Sequence, residues 1–395
     1  MIDKTRYDAI IIGGGLMGSA AAYYLALSKA RVLVLERNDQ ASGSAGATDG
    51  VVGYHTKKPG AHMDFAVRSI SMFPALSDEL GMDIEYGENC GGMLLIEDEE
   101  QWDIMEKLAT EQRRSGVDIR LIDIREALEI EPQLSPYLLG ALYSPTGCKV
   151  NPLRLTFAYA AAARRLGVVI KNGTEVNAVR VNEGGANGNS EFRVRTAMGD
   201  FYGERLIIAA GSWSEAVGRM VGVEIPIRPR KGQLLVTEPL GVFIKGTAQC
   251  ARYYVVKNQP DSIKDEYIIR TGASLGIAQT DDGAVLIGST RELVGFDREP
   301  TLESFEAMMK RAALFYPALK NTHVIRSFAG FRPYTPDGYP MIGRISAVEG
   351  LYIAAGHEGD GIALAPATGK LLAELIITGK TSFPLDPFDP DRFKT

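Results

Sequence analysis

The sequence predicts an α/β protein in two parts: a unit built on a parallel sheet and, interleaved with it along the chain, a β-rich second domain of antiparallel sheet plus helices. Three observations carry that prediction. Residues 8–36 read as apolar strand, glycine turn, small-residue helix and apolar strand, namely Asp8 to Ile12, Leu16 to Ser28 and Arg31 to Glu36, which is half of a unit whose strands run parallel. Residues from about Ile225 to Thr290 alternate aromatic and β-branched positions between turn signals such as Asp282-Gly283, the pattern of an antiparallel sheet. Apolar, glycine-punctuated text like that of the first residues then returns at the carboxyl end. A chain of 395 residues also exceeds what one core usually organises, since domains average roughly 150 residues.

The elements between follow in order. Trp102, Met105 and Leu108 recur at three-residue spacing, which predicts an amphipathic helix ending near Gly116. Asn151 suits an N-cap, Pro152 the first helical position, and the alanine-rich stretch after it a helix that Gly167 ends. Val168 to Val181, Glu191 to Thr196 and Phe201 to Ala210 read as a meander of three strands, joined by Asn182 to Ser190 and by Gly199-Asp200. Leu302 to Phe315 reads as helical, and a closing helix runs from about Gly361 to Thr378, ended by Gly379. The expected division is 1–80, 146–220 and 325–395 for the parallel-sheet unit, with 81–145 and 221–324 forming the second domain.

Composition excludes several classes of function. Apolar residues make up 45% and charged residues 23%, and 43 basic against 49 acidic side chains give a net charge of −6, so a nucleic-acid partner is not expected. Ala9 to Ala30, preceded by Lys4 and Arg6, is the one stretch that resembles a signal or anchor. Gly13, Gly14, Gly15 and Gly18 break it well short of the ~20 apolar residues that span a bilayer, so no transmembrane segment is expected. Cys90, Cys148 and Cys250 form no C-x-x-C pair, which argues against a disulfide framework, an iron–sulfur cluster or any other metal site, and for a reducing compartment, the cytoplasm.

Gly13-Gly14-Gly15-Leu16-Met17-Gly18 matches G-x-G-x-x-G between a strand and a helix, the context in which the pattern binds a dinucleotide in a Rossmann-like unit. Gly13 permits the tight turn, Gly15 lets backbone N–H groups approach a pyrophosphate, and Gly18 lets helix and strand pack closely. Leu16 and Met17 open the helix and complete this set of candidate contacts. Glu36, followed by Arg37, ends the second strand where a carboxylate can accept ribose hydroxyls and repel a 2′-phosphate. The turn alone does not choose between NAD and FAD, which both lay a pyrophosphate across it. A plain NAD dehydrogenase would show alternating strand–helix units, whereas here the strand Leu206 to Ala210 runs into Gly211-Ser212-Trp213 after the meander.

Two carboxyl-terminal blocks are the most specific text: Ala329 to Gly343, reading AGFRPYTPDGYPMIG, and Ala355 to Gly369, reading AGHEGDGIALAPATG. With the glycine turn and the Leu206 strand they resemble the D-amino-acid oxidase superfamily of FAD-dependent oxidoreductases, of glycine oxidase and sarcosine oxidase type, along the whole chain. Within it the chain is most similar to the amine-oxidising subunits of heteromeric proline, hydroxyproline or opine dehydrogenases and of hydrogen cyanide synthase. The resemblance implies FAD, a flavin-contacting loop in Ser42 to Lys58 that includes Ser44, and further contacts from Val176, Ala210, Gly211, Trp213, Gly330 and Arg332. It implies oxidation of a small amino acid or secondary amine to an imine. It also implies partner subunits carrying an iron–sulfur centre or a second flavin. Covalent attachment through a cysteine near this text, as in some sarcosine oxidases, is not expected, because Gly330, Phe331 and Arg332 offer none. The lysine with which those oxidases hold the substrate carboxylate would fall near Ala363.

Dehydrogenating an amino acid by hydride transfer needs the Cα–H aimed at flavin N5 and hence a grip on the neighbouring carboxylate. Arg332 can bind a carboxylate through two parallel hydrogen bonds, and Pro333 fixes the direction of its turn; the alternative is an arginine that pairs a neighbouring acid. Gly359, Asp360, Gly361 and Ile362 open a helix whose N-terminus would stabilise negative charge near flavin N1 and O2, or merely start a helix. His357 either touches the cofactor or packs. Tyr253 and Tyr254, placed on a strand, cover the substrate or fill the sheet, and Tyr254 is the candidate for a catalytic role beside Arg332. His55, His62 and His323 show no metal spacing. Two other functions compete: a solitary oxidase passing electrons to oxygen, and a flavin-binding subunit without catalysis.

Overall fold

Ala9–Ile12, Val32–Leu35 and Leu206–Ile208 are continuously apolar and buried along their whole length, as strands covered on both faces must be. The computed structural model, which describes residues 6–87, 90–182, 191–259, 261 and 263–394, places them at the centre of a six-stranded sheet. Its order is Met341–Arg344, Leu351–Ala355, Leu206–Ile208, Ala9–Ile12, Val32–Leu35, Val169–Lys171, parallel except for the Met341–Arg344 edge. Alternate residues serve two cores. Ile11, Val34 and Ile207 face the helices, while Ile10, Ile12, Leu33 and Ile208 face a second layer of strands.

On the helical side, Leu16–Leu27 packs against Gly361–Thr378 and Pro152–Arg165. Gly369 makes the first contact possible, since a Cβ there would lie 2.8 Å from Ala20. Gly361–Thr378 is long and apolar enough to cross a membrane but is 67% buried within the fold, which makes it a core helix. Asn151 Oδ1 accepts the N–H groups of Leu153 and Arg154 at 3.1 and 3.2 Å, capping Pro152–Arg165 as the sequence predicts.

The second layer is a four-stranded sheet of Arg6–Tyr7, Gly199–Gly203, Glu191–Thr196 and Val176–Asn182. Here the expected meander is corrected at both ends. The first predicted strand divides at Gly173, whose φ of +61° turns the chain from one sheet into the other. The last divides at Glu204-Arg205, so that Leu206–Ile208 crosses into the six-stranded sheet. Of the turn expected over 182–190, residues 183–190 lie outside the described residues.

Besides a two-stranded pair of Val51–Val52 with Cys148–Lys149, an eight-stranded sheet holds the remaining strands, in the order Val324–Tyr334, Arg228–Pro239, Ala284–Gly288, Gly276–Gln279, Thr247–Cys250, Gly92–Ile96, Gly140–Ser144, Arg120–Asp123. It is antiparallel apart from the Thr247–Cys250 and Gly92–Ile96 pair. Val324–Tyr334, read from sequence with the parallel-sheet unit, pairs along Arg228–Pro239 and belongs to this sheet. Tyr253 and Tyr254 stand on a helix, Ala251–Asn258, not on a strand. Their β-prone neighbours Val255 and Val256 are overridden by packing, since Ala251 and Tyr254 share a core with Met105 and Leu108 of helix Glu99–Gln112.

Candidate active site

The carboxyl ends of the central strands open onto a cavity of about 470 Å³. Gly13 turns the chain there with φ +114°, and a Cβ on it would lie 2.4 Å from the carbonyl of Ala209. Gly18 is closer still: a Cβ would lie 1.9 Å from Gly13 O. Gly18 therefore serves the packing of helix on strand and does not line the cavity, whereas Gly13, Gly15, Leu16 and Met17 do. Nothing lies within 4 Å of a Cβ built on Gly15, so the helix start is open to a ligand. Glu36 Oε2 accepts the Gly14 N–H at 2.7 Å and Oε1 that of Asn38 at 2.9 Å, which fixes the carboxylate on the cavity wall. This cradle fits the diphosphate and ribose of an adenine dinucleotide.

Further along, Arg37 stacks over Trp213 at 4.0 Å, and Trp213 over Phe296 with centroids 5.0 Å apart. All three line the cavity, as do Ser44, Val176, Ala210 and Gly211. Ser44 Oγ donates to Phe331 O at 2.5 Å, tying its loop to the strand that carries Gly330 and Arg332, which also face the cavity. Gly330 admits that loop, because a Cβ there would meet the Ala47 side chain at 2.4 Å.

Arg332 pairs with Arg230 across two antiparallel strands, so both side chains stand on one face of the sheet. Its Nη1 donates to Thr290 O at 2.8 Å and Nη2 to Ser289 Oγ at 2.7 Å. Gly232 leaves the room, since a Cβ there would lie 2.1 Å from Nη1. Burial and the neighbouring Arg291 pull the Arg332 pKa down from its usual value, the signature of a cation short of anions. A guanidinium so held has donors left for a carboxylate.

Glu358, in a left-handed conformation at φ 47°, lies beside these arginines. Its Oε1 is 3.5 Å from Arg291 Nε and 3.7 Å from Arg230 Nη1, and its Oε2 accepts the Gly359 N–H at 2.5 Å. Burial would raise its pKa, but Arg291, Arg332, Lys257 and Arg230 hold it at about 2. Arg291 in turn stacks over Tyr253 at 4.2 Å. A Cβ built on Gly359 would find Tyr253 Oη at 3.6 Å and Arg332 Cδ at 3.7 Å, so these three form one wall.

Gly359, Gly361 and Ile362 line the cavity, and Asp360 between them does not. Its carboxylate turns away, to Lys57 and Lys257. Tyr254 also departs from expectation. It is buried in the core with Met105 and Leu108, its pKa is raised to about 12 by burial, and the cavity-lining tyrosine is Tyr253. His357 lines the cavity, bonded through Nε2 to Thr368 Oγ1 at 3.0 Å, and burial lowers its pKa to about 3, so it is neutral. Among the described residues no group of His, Cys, Asp and Glu is arranged to hold a metal.

Sequence reasoning singled out Arg332 and missed Glu358, Arg230, Arg291, Lys57 and Lys257 as one charged shell. One signal was available: two acids flank Gly359 in an otherwise apolar stretch, and buried acids demand cations.

Known proteins align with nearly the whole length of this chain. Glycine oxidase of Geobacillus kaustophilus is 31% identical over 98% of this chain and 97% of its own. Hydrogen cyanide synthase subunit HcnC of Pseudomonas protegens is 30% identical over 99% of this chain and 97% of its own. The crystal structure of L-proline dehydrogenase from P. horikoshii superimposes with a TM-score of 0.87 at 29% identity, covering 98% of each chain. Residues 8–375 match the DAO family of FAD-dependent oxidoreductases, and the chain belongs to that family.

Proposed function

We propose that the protein oxidises a small amino acid or secondary amine, of proline, hydroxyproline, opine, glycine or sarcosine type, to an imine at non-covalently bound FAD. Bound FAD supplies the two-electron acceptor. The observation that carries the reading is Arg332, anchored on Thr290 and Ser289 beside Tyr253 and Gly359 in the cavity that the glycine turn opens. Its guanidinium grips the substrate carboxylate in two parallel hydrogen bonds, which orients the neighbouring Cα–H and amine. Tyr253, pressed against Arg291, closes the same wall and excludes water. The two relatives named above as a glycine oxidase and as an HcnC subunit support the amine chemistry.

Anaerobic mixing with a panel of amino acids, N-methyl amino acids and opines tests this directly: one class bleaches the flavin absorbance, and a flavin that stays oxidised with all of them removes the proposal. We further infer, from HcnC being a subunit, that the chain is the catalytic subunit of a heteromeric dehydrogenase of the cytoplasm. Glycine oxidase similarity favours a solitary oxidase instead, and rapid reoxidation of substrate-reduced enzyme in air would select it.

A further inference from the structure

We propose that Lys57 and Lys257 set the redox poise of the bound flavin, by converging on the single carboxylate of Asp360 and so placing one surplus positive charge behind the first turn of helix Gly361–Thr378. Lys57 Nζ donates to Asp360 Oδ1 at 2.6 Å and Lys257 Nζ to Oδ2 at 2.6 Å, with the three side chains 4%, 7% and 3% exposed. The lysines come from the loop after Val51–Val52 and from helix Ala251–Asn258, far from Asp360 in sequence, so the meeting is built by the fold. His62 Nε2 lies 3.4 Å from Oδ2, but burial lowers its pKa to about 3 and it adds no charge.

Asp360 occupies the N-cap position, where an aspartate ordinarily accepts the helix's own N–H groups. It makes no such bond. Both oxygens are taken by lysines, and the first turn, Gly361 and Ile362, is left facing the cavity with its partial positive charge uncompensated. A lone aspartate there would oppose negative charge arriving in the cavity. Two ammonium groups reverse that sign: burial pulls the Lys57 pKa down, while Asp360 and, more weakly, Asp49 favour its charged form. An unneutralised buried cation is costly, and negative charge on the reduced cofactor relieves the cost, so the cluster favours reduction. Lys57 and Lys257 touch neither substrate nor cofactor in this scheme and act through Asp360 and the helix start.

The inference rests on FAD occupying the cavity, but the midpoint potential is read without substrate, so an error about the amine leaves it standing. Lys57→Met and Lys257→Met holoenzymes, equilibrated with reference dyes, are expected to show more negative midpoint potentials. The expected shift is at least tenfold in the oxidised–reduced equilibrium, about 30 mV for a two-electron couple. Lys257→Arg is expected to restore the wild-type potential. A wild-type potential in either methionine variant, or a Lys257→Arg protein as displaced as Lys257→Met, overturns the proposal. Loss of FAD from both methionine variants also overturns it, because the lysines then hold the site's shape and not its charge.

Discussion

The two walls of the cavity recognise by different physics. The wall around Gly13, Gly15 and Glu36 is built from backbone and from absent side chains, and the Glu36 carboxylate is occupied by the N–H groups of Gly14 and Asn38. The wall around Arg332 and Glu358, with Asp360 behind it, is built from buried charges, the two carboxylates each held between two cations. Shape therefore governs the first wall and electrostatics the second. Damage to the first should abolish cofactor binding outright, whereas damage to the second should spare FAD and change what is done with it.

The largest effect is expected at Gly18. A methyl group there meets Gly13 O at 1.9 Å, a backbone atom that cannot yield without opening the turn. Gly18→Ala is expected to purify without flavin colour and with a lowered melting temperature, overpacking alone costing about 1–3 kcal/mol. A yellow, stable Gly18→Ala protein would show that the turn is looser than its geometry.

Arg332→Ala comes next and should separate the walls. With the bidentate grip gone, kcat/KM is expected to fall roughly 10²–10³-fold, the cost of truncating one partner of a buried charge pair, at unchanged FAD content. Stopped-flow reduction of the bound flavin measures both. Full turnover would transfer the chain to the non-catalytic reading, and loss of flavin would make Arg332 part of the first wall.

The same division explains what could be read in the sequence. The glycine turn is local: its residues are consecutive, each glycine answers one steric demand, and the strands beside it announce themselves by continuous apolar text. Arg332 was legible because its neighbours Gly330 and Pro333 mark a constrained stretch. Nothing local announces Lys57 and Lys257, which reach Asp360 from sequence positions 303 and 103 residues away. Tyr254 was misplaced for a related reason. Adjacent residues on a strand face opposite ways, while on a helix they stand about 100° apart, so choosing between Tyr253 and Tyr254 required the element type, which packing against helix Glu99–Gln112 decided.

Glu358 yields a prediction about acid stability. Its pKa falls from an ordinary 4.5 to about 2 in the fold, so its contribution is complete above about pH 4.5 and vanishes as pH drops through 2. Each unit is worth about 1.4 kcal/mol, which puts the contribution at roughly 3 kcal/mol. Urea midpoints of the wild type should therefore fall between pH 5 and pH 2 more steeply than those of Glu358→Gln, the two curves converging at the acid end. Parallel curves would mean that the arginines do not hold this carboxylate ionised.

The smallest effect, and the sharpest use of the contrast, lies in the tyrosine pair. Tyr254 sits in an apolar core away from the cavity, so Tyr254→Phe is expected to leave steady-state kinetics within twofold and stability within about 1 kcal/mol. Tyr253 touches the wall that Arg332 and Gly359 share, and Tyr253→Phe is expected to raise KM several-fold with little change in melting temperature. If the two variants exchanged these behaviours, helix Ala251–Asn258 would have to be rotated from its place here. The electrostatic wall would then lose Tyr253, the side chain that joins Arg291 to the cavity.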